Sequence, residues 1–329
     1  MSRMSSASST NPADVPSTSS RFLGRFWKQF PWLYSFWKFS RPHTIIGTSL
    51  SVFGLFCVAW AFERGPSLPP LWLTIPALVT CLCGNVYIVG LNQLEDVEID
   101  VINKPHLPIA AGEYTRQQAA NIVGIAGLLA LVLSLLQGVY LVGTVWLSLF
   151  IGTAYSLPPM RLKRFPFYAS LCIFGVRGVI VNVGLFLHFR AMLGGDGPIP
   201  PEIWVLTLFV LAFTFAIAIF KDIPDVEGDR RYNISTLSIR LGQQTVFNLA
   251  VGVLTLCYIG MIAAAFWLAK LNQSVLLLSH TLALVVLYSQ SLRINPRHPR
   301  SMPRFYQFIW KLFFLEYIIF PLACLWPYM

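Results

Sequence analysis

The sequence predicts an all-α fold, a polytopic membrane bundle of about nine transmembrane helices around a central cavity. Hydrophobic residues make up 56% of the chain and charged residues only 12%, whereas about 25% of the residues of a soluble domain are charged. Uncharged apolar runs recur, each close to the roughly 20 residues that an α-helix needs to cross a bilayer. The third and fourth runs are separated only by Gln137-Gly138. The predicted spans are residues 44–62, 71–94, 118–136, 139–157, 167–189, 203–220, 246–268, 275–292 and 308–326.

The basic residues predict which side of the membrane each loop faces. With the N-terminus in the cytoplasm, about 20 of the 24 Lys and Arg lie on the cytoplasmic side, and Arg64, Arg190 and Lys270 lie on the other. Cytoplasmic loops of membrane proteins carry such an excess of positive charge. The net charge of +10 therefore reflects topology and affinity for anionic lipid and phosphate, and we expect no nucleic-acid partner.

Residues 1–35 are predicted to form a disordered or interfacial N-terminal tail, and residues 36–329 a single membrane domain. The first 20 residues contain ten Ser or Thr and one acidic residue, a composition typical of disorder. A transit peptide is the alternative, because such peptides are also Ser-rich and acid-poor, although only one Arg is present. Residues 21–40 mix aromatic and basic side chains, which favours an interfacial helix leading into the first span.

Eight of the fourteen acidic residues lie in two nine-residue windows, four in each, at residues 92–100 and 221–229. Each window directly follows a predicted span on the cytoplasmic side. In the first window Asn92, Asp96 and Asp100 are spaced i, i+4 and i+8. A helix with this spacing presents the three side chains on one face over about 12 Å.

The second window repeats the spacing with Asp225 and Asp229. Pro224 is expected to bend the helix and to turn the two carboxylates inward. Carboxylates close to hydrocarbon are costly without a partner, and several hard oxygen ligands at close range suit Mg²⁺. The alternative is a solvated salt-bridge face in which the carboxylates pair with the nearby cations Lys104, Lys221, Arg230 and Arg231.

Basic residues on the same side of the membrane indicate what such a metal would bind. Arg161 and Lys163 follow the fourth span, close to Tyr155. Their side chains are suited to charge-assisted contacts with phosphate oxygens. Carboxylates, a metal ion and cations at one place describe a site for a diphosphate. Further candidate cations on this side are Lys104, Lys221, Arg240 and, at the start of the first span, Arg41, for which binding to lipid headgroups is the alternative.

Two polar residues, Arg177 and Asn182, lie inside the fifth predicted span. A lone Arg in the membrane costs at least a few kcal/mol unless it is paired. The sequence leaves two interpretations open, an interior polar cavity and a structural pair with Glu316. The six cysteines, at positions 57, 81, 83, 172, 257 and 324, are interpreted as packing or lipid-facing residues, and the histidines at 106, 188, 280 and 298 as structural.

These motifs resemble those of the UbiA-type intramembrane prenyltransferases over about residues 35–329. The family pattern occurs in the right order: Asn92-x-x-x-Asp96-x-x-x-Asp100, then Tyr155 with Arg161-x-Lys163, then Asp225-x-x-x-Asp229. Residues 92–110, 221–238 and 305–317 are similar to the homogentisate branch of the family. Residues 40–47 and 152–156 are most similar to the members of that branch that transfer a phytyl group.

The resemblance implies a Mg²⁺-dependent transfer of a phytyl group from phytyl diphosphate to homogentisate, with decarboxylation, on the route to tocopherol. It implies that the metal ligands are Asn92, Asp96, Asp100, Asp225 and Asp229. The residues expected to act in catalysis are Asp96, Asp100, Asp225, Asp229, Arg161 and Lys163. Those expected to bind donor or acceptor are Lys104, Tyr155, Lys221, Arg240 and Arg41. We expect an integral membrane enzyme in a cyanobacterial inner or thylakoid membrane because the N-terminal extension is short, with the plastid envelope as the alternative.

Three other interpretations stay open. A sibling enzyme would use geranylgeranyl or solanesyl diphosphate, or another aromatic acceptor. A divalent-cation transporter is a distant alternative, because it should have carboxylates near mid-membrane rather than at one face. A non-catalytic lipid-binding membrane protein is the third. Two departures from the family pattern, Ile217 where many members have Tyr and Gln93 where many have Asp, concern donor and acceptor details rather than the reaction class.

Overall fold

The computed structural model describes residues 29–65, 67–221, 223, 226, 236–268, 270–294 and 301–326. Within these ranges, nine helices are long and apolar enough to cross a membrane, so the predicted number of spans is confirmed. We label them α1 to α9 in chain order. Their bounds are Pro42–Arg64, Leu71–Glu95, Arg116–Leu135, Val139–Ser156, Phe167–Met192, Pro201–Phe220, Gln243–Ala264, Gln273–Ser291 and Ser301–Leu325.

Local signals in the sequence explain where several helices begin and end. A capping box starts α3, in which the Thr115 side chain accepts from the Gln118 backbone N–H and the Gln118 side chain accepts from the Thr115 N–H. Gly138 separates α3 from α4 with a φ of 99°, a conformation that favours glycine. The predicted division of this long apolar stretch is therefore confirmed.

The ninth helix begins earlier than predicted. It starts at Ser301, whereas the apolar run alone gave residue 308. The first two turns are amphipathic, since Met302 and Phe305 are buried and Arg304 is exposed. A prediction based on continuous apolar character misses such a helix start, because only one face of it is apolar.

The helices pack in chain order around the bundle, and α9 closes it against α1. Helix α2 packs on both α3 and α4, and α1 also packs on the second half of α5. Close approach between α2 and α3 requires Gly90, because a Cβ there would lie 2.6 Å from Cγ2 of Val123 and 2.7 Å from Cζ of Phe39. These contacts join both ends of the chain into one bundle.

The core lies around α6, the most buried of the nine helices. A helix that is apolar on every side is usually enclosed by protein. The Phe213 ring packs against Tyr258 of α7 and Phe313 of α9, with ring centroids 6.2 Å and 5.7 Å apart. Many large apolar side chains elsewhere, such as Leu278 and Leu256, are exposed on the outside of the bundle, as expected of an integral, multi-pass membrane protein.

Helix α5 changes to π-helical geometry at Gly175–Ile180. The Asn182 side chain explains how this segment is held, because its Nδ2 donates to the carbonyl oxygens of Arg177 at 3.0 Å and Gly178 at 2.7 Å. Tyr317 of α9 in turn donates to Asn182 Oδ1 at 2.8 Å. Such π-bulges often mark functional sites, and this one determines the position of Arg177.

A short helix, Pro31–Phe39, precedes α1, as the aromatic and basic residues of this region predicted. It is held against the loop before α3, where Lys38 forms an ion pair with Glu113 and Ser35 Oγ donates to Glu113 at 2.6 Å. Tyr114 Oη donates to the carbonyl oxygen of Trp32 at 3.1 Å. The rest of the predicted tail, residues 1–28, lies outside the described residues.

Candidate functional site

The first acidic window lies where α2 ends. Asp96 joins α2 to a short helix, Val97–Asn103. The backbone bonds keep a four-residue spacing through this junction: the N–H of Asp96 donates to Asn92 O at 3.1 Å and that of Asp100 to Asp96 O at 2.7 Å. Asn92 Nδ2 also donates to Asp96 Oδ2 at 2.8 Å. Asn92 and Asp96 therefore lie on one face, as their spacing predicted.

Three cations from distant parts of the chain contact the Asn92–Asp96 pair. Lys163 Nζ donates to Asp96 Oδ1 at 2.6 Å, and Arg161 Nη2 lies 3.7 Å from the same oxygen. Arg41 Nη2 donates to Asn92 Oδ1 at 3.1 Å. We call these five residues the cation–carboxylate cluster. The structure thus brings together five of the residues that the sequence singled out.

Two members of the cluster have an unusual backbone. Arg41 and Arg161 have φ values of 54° and 36°, and they are the only non-glycine residues with positive φ among those the structure describes. The left-handed conformation costs a side-chain-bearing residue roughly 1–2 kcal/mol. Local strain of this kind is found preferentially at functional sites. Nothing in the sequence indicates this positive φ, since arginine does not favour the left-handed conformation.

Burial affects the charge on Lys163. It lowers the pKa of the ammonium group, while the neighbouring carboxylate of Asp96 opposes that shift. The side chains of Lys163 and Asp96 are only 11% and 15% exposed. A nearly buried pair of opposite charges with a third charge, Arg161, beside it differs from the solvated salt-bridge face that was the alternative.

The other predicted site residues of the described part are more dispersed. Asp100 is buried, with 5% of its surface exposed, one turn beyond Asp96. Tyr155 and Lys221 line a cavity that begins beside the cluster. Lys104 is half-buried after the short helix, and Arg240 is exposed in the helix Leu237–Leu241. Neither Lys104 nor Arg240 lines that cavity.

The second acidic window cannot be placed in the same way. The structure describes only three residues of this window, Lys221, Ile223 and Val226. The predicted ligands Asp225 and Asp229 lie outside the described residues, as do Asp222 and Pro224. Across the described ranges, no group of three or more His, Cys, Asp or Glu side chains could hold a metal ion. Because the predicted ligand set draws on both windows, the shared metal site remains a prediction.

The cavity has a volume of about 310 Å³ and lies inside the bundle between α1, α2, α4, α5, α6 and α9. Its charged end is formed by Arg41 and Lys221, with the amide of Asn92 beside Arg41. Its deeper walls combine apolar side chains with hydroxyl and amide groups, including Ile88, Leu149, Leu185, Thr48, Ser51, Asn85, Thr144 and Ser148. An anionic headgroup and an apolar chain would both find matching surfaces in such a cavity.

Several cavity residues were not predicted. His43 and Trp310 line the wall with their rings 4.9 Å apart. The small polar residues Thr44, Thr48 and Ser51 follow each other at three- or four-residue spacing on α1, and that spacing could have indicated an inward polar face. Cys81 and Cys172 also line the cavity, a location that the interpretation of the six cysteines as packing or lipid-facing residues did not specify.

The two departures from the family pattern have different locations. Ile217 lines the cavity, so it affects the shape of that cavity. Gln93 is buried away from the cluster, and its Nε2 donates to the carbonyl oxygens of Phe39 at 2.7 Å and Val89 at 3.2 Å. Gln93 therefore anchors the helix Pro31–Phe39 to α2.

The two interpretations of Arg177 can now be separated. Arg177 lines the cavity, whereas Glu316 faces a different partner, with its Oε2 3.0 Å from Nε2 of His280. The interior polar cavity is therefore the correct interpretation and the pair with Glu316 was wrong. His280 has a structural contact, as predicted.

Comparisons with known proteins agree with this architecture. Residues 50–312 match the UbiA prenyltransferase family. The chain is 50% identical to homogentisate phytyltransferase of Synechocystis sp. over 89% of this chain and 96% of that protein. It is 40% identical to the chloroplastic homogentisate solanesyltransferase of Arabidopsis thaliana over 87% of this chain and 75% of that protein.

A solved structure has the same fold. The structure of a UbiA homolog from Archaeoglobus fulgidus bound to GPP and Mg²⁺ superposes with a TM-score of 0.59 at 15% identity, over 87% of this chain and 99% of that one. Similarity at this level of identity concerns the fold. Together with the family match over most of its length, it leads to one conclusion: this chain belongs to the UbiA prenyltransferase family.

Proposed function

We propose that this protein transfers the phytyl group of phytyl diphosphate to homogentisate, with loss of CO₂, as a step of tocopherol synthesis. Family membership supports a prenyl transfer, and the 50% identity with the Synechocystis homogentisate phytyltransferase over nearly the whole of both chains supports the donor and the acceptor. The structural observation that carries the proposal is the cation–carboxylate cluster at the charged end of a largely apolar interior cavity.

The donor set around the cluster fits a magnesium ion. Asn92, Asp96 and Asp100 present amide and carboxylate oxygens in sequence along one helical path, and such hard oxygen ligands suit Mg²⁺. We propose that these residues hold the metal together with Asp225 and Asp229 of the second window. When bound, Mg²⁺ would neutralise negative charge on the donor diphosphate. The related Archaeoglobus protein has been solved with GPP and Mg²⁺.

Residues of the chain itself account for binding and departure of the diphosphate. Arg161 and Lys163 are held beside Asp96 in nearly buried positions, where their charges act through a medium less polar than water. We infer that these cations bind the oxygens of the leaving diphosphate as its C–O bond breaks, the bonding electrons going to the diphosphate. We propose that five further residues bind the donor or the acceptor: Arg41, Lys104, Lys221, Tyr155 and Arg240.

The apolar walls of the cavity have a second role. Breaking the C–O bond leaves an allylic cation, which water would destroy. Apolar side chains such as Ile88, Val145 and Leu149 exclude water from the interior. Aromatic rings near the same space, Tyr306 and Trp310, favour a cation through their π faces. The electron-rich ring of homogentisate then attacks the cation and forms the C–C bond. The ring loses a proton, the carboxylate leaves as CO₂, and the methylene carbon takes up a proton to become a methyl group.

The decisive experiment measures donor choice. Purified protein in detergent is given homogentisate, Mg²⁺ and, in separate reactions, phytyl, geranylgeranyl or solanesyl diphosphate. We expect the highest kcat/KM with phytyl diphosphate. A clear preference for solanesyl diphosphate would replace the proposal with the sibling activity, which the 40% identity to a solanesyltransferase keeps as the second candidate.

A substitution in the cluster tests the site itself. Asp96→Asn keeps the size of the side chain but removes the charge that binds Lys163, and we expect turnover to fall at least about 100-fold with the fold retained. Glu98→Gln is the matched control, because Glu98 is an exposed acid of the same window. Activity of Asp96→Asn within tenfold of the wild type would contradict the proposed site.

The other interpretations make different predictions. The family match does not support a divalent-cation transporter, which would move Mg²⁺ into proteoliposomes in the absence of any prenyl donor. The function of a purely lipid-binding protein would not change in Asp96→Asn.

We further propose that residues 36–329 act as one domain with a single interior site, preceded by a tail, in a cyanobacterial inner or thylakoid membrane. The plastid envelope is the alternative membrane, and fractionation of the source cells distinguishes these.

A further inference from the structure

Arg177 lies within the membrane-spanning part of α5 and is not a member of the cation–carboxylate cluster. It is ten residues from Phe167 at the start of α5, roughly 15 Å along the helix. Its Cζ lies 5.2 Å from the ring centre of Trp310 and 5.6 Å from that of Phe313. Its Nη1 approaches α1 so closely that a Cβ on Gly47 would lie 3.0 Å away. The guanidinium is therefore held in the wall of the cavity.

No carboxylate of the described residues neutralises this charge. The ion pairs formed there join Asp96 to Arg161 and Lys163, Lys38 to Glu113, Arg190 to Glu63 and His280 to Glu316, and none of them includes Arg177. Glu316, the acid that the sequence suggested as a partner, is turned toward His280. Cation–π contacts with Trp310 and Phe313 offset part of the desolvation of the guanidinium. They leave its planar hydrogen-bonding edge without an anion.

Two other polar groups beside the cavity also lack hydrogen-bond partners among the described residues. They are the indole Nε1 of Trp310 and the hydroxyl of Thr214. Trp310 is 5% exposed and Thr214 only 1% exposed, and both residues line the same cavity as Arg177. An unmade hydrogen bond in a buried place costs about 1–3 kcal/mol. These two unmade hydrogen bonds lie in the wall of the cavity beside Arg177.

We propose that Arg177 is the residue that binds the carboxylate of the aromatic acceptor, a proposal that rests on the proposed function. Homogentisate is an arylacetate, so it combines one carboxylate with a ring and two hydroxyl groups. The planar guanidinium matches a carboxylate bidentately, and the indole of Trp310 supplies both an aromatic face and a hydrogen-bond donor.

This assignment separates the two anions of the reaction. The diphosphate has the cations of the cluster, Arg41, Arg161 and Lys163, at the end of the cavity. The acceptor carboxylate has Arg177, which is held on a different helix by the Asn182 contacts with the π segment. With separate cations, each substrate is oriented independently, and a neutral phenol lacking the carboxylate would leave Arg177 without an anion.

The test compares a carboxylate with its neutral amide. Binding of homogentisate and of 2,5-dihydroxyphenylacetamide to the full-length protein in detergent with Mg²⁺ is measured by calorimetry. We expect the wild type to bind the carboxylate at least about tenfold more tightly than the amide. In Arg177→Gln this preference should fall to within about twofold. In steady-state kinetics the KM for homogentisate should rise at least tenfold, while the KM for the prenyl diphosphate stays within twofold.

Arg190→Gln is the matched control, because Arg190 lies on the same helix but pairs with Glu63 at 2.8 Å outside the cavity. It should keep the preference of the wild type. If Arg177→Gln does not fold, Gly47→Ala and Trp310→Phe provide the same test. The first crowds the guanidinium by a few tenths of an ångström, and the second removes the indole donor. Each should reduce the preference several-fold without changing the affinity for the amide.

The outcomes distinguish this proposal from the proposed function. If the wild type prefers the carboxylate and folded Arg177→Gln keeps that preference, the role of Arg177 is overturned and the proposed function is unaffected. If the wild type makes no product from homogentisate with any donor, the proposed function fails, and the binding comparison is repeated with 4-hydroxybenzoate and its amide. Absence of a carboxylate preference in the wild type for both pairs overturns the inference as well.

Discussion

Lys163 donates a hydrogen bond from Nζ to Oδ1 of Asp96 at 2.6 Å across 67 positions of the chain. This contact joins the loop after α4 to the end of α2 and brings a cation into the first acidic window. Because both side chains are mostly buried, each offsets part of the desolvation cost of the other. The contact therefore orders the cation–carboxylate cluster before any substrate arrives.

Lys163→Met should impair use of the donor more than it impairs folding. The substitution keeps the apolar stem of the side chain and removes the charge that binds Asp96. We expect kcat/KM for the prenyl diphosphate to fall about 100-fold, measured by product formation at varied donor concentration. Arg164→Met is the control, since Arg164 is an exposed neighbour in the same turn, Leu162–Arg164. Equal losses in both variants would indicate a general effect of positive charge in this loop.

The sequence predicted the number of spans and the shared face of Asn92 and Asp96 correctly, for identifiable reasons. Apolar run length determines a membrane span almost directly, and the four-residue spacing of Asn92 and Asp96 determines a shared helical face. The approach of Lys163 and Arg41 to that face depends on tertiary packing. No local pattern contains it, because the sequence placed Arg161 and Lys163 only on the same side of the membrane as the acidic windows.

The surroundings of Arg177, Cys81 and Cys172 could not be predicted from the hydrophobic pattern of the sequence. Whether Arg177 pairs with Glu316 or faces a cavity depends on the rotation of α5, and the π segment sets that rotation through Asn182 and Tyr317. Cys81 and Cys172 belong to no metal-binding or redox motif, so only the packed structure identifies them as cavity residues. Periodicity predicts which elements form, whereas helix rotation and depth are decided by contacts between elements.

Gly90→Ala tests the close approach of α2, α3 and the helix Pro31–Phe39. The added methyl group would overlap Val123 and Phe39, and overpacking of this kind costs about 1–3 kcal/mol, part of which the better helix propensity of alanine offsets. We expect a lower thermal unfolding midpoint in detergent. Gly124→Ala on α3, where a Cβ meets nothing within 4 Å, should leave the midpoint unchanged or raise it. A stabilised Gly90→Ala would contradict the packing described.

Glu113 makes the free energy of unfolding depend on pH, because its pKa is lowered in the folded protein. Burial raises its pKa, but hydrogen bonds from Lys38 and Ser35 outweigh that effect, so the pKa in the folded protein lies below the ordinary value of 4.5. A carboxyl group with a lowered pKa stabilises the fold above its unfolded pKa, and this contribution is lost as the pH falls through the folded pKa. Because the pair is partly exposed, we expect the contribution to be about 1 kcal/mol or less.

Thermal unfolding of wild type and Glu113→Gln between pH 7.5 and pH 4 would measure this contribution. The wild type should be the more stable protein at pH 7.5, and the difference should shrink as the pH falls below about 4.5. Glu98→Gln, an exposed acid in the first window, should show a smaller difference at pH 7.5. A constant difference over the whole range would mean that Glu113 acts through packing rather than through its charge.

The buried contact between His280 and Glu316 joins α8 to α9 inside the membrane region. The two side chains are 0% and 2% exposed, and His280 Nδ1 lies 2.8 Å from the carbonyl oxygen of Leu276. Glu316→Ala would leave the imidazole buried without this partner, at a cost of about 2–3 kcal/mol. Glu316→Gln can still hydrogen-bond to the ring and should cost less.

Unfolding in detergent would rank these variants, with His280→Phe combined with Glu316→Leu as a third. Replacing both polar partners by apolar groups leaves no unsatisfied atom, so the pair should lose less stability than the sum of the single losses. The preference for homogentisate over its amide should be unchanged in every folded variant, because Glu316 is paired with His280 and not with Arg177. A stronger preference in Glu316→Gln would instead show that Glu316 neutralises part of the Arg177 charge in the wild type, and would contradict an Arg177 without a carboxylate partner.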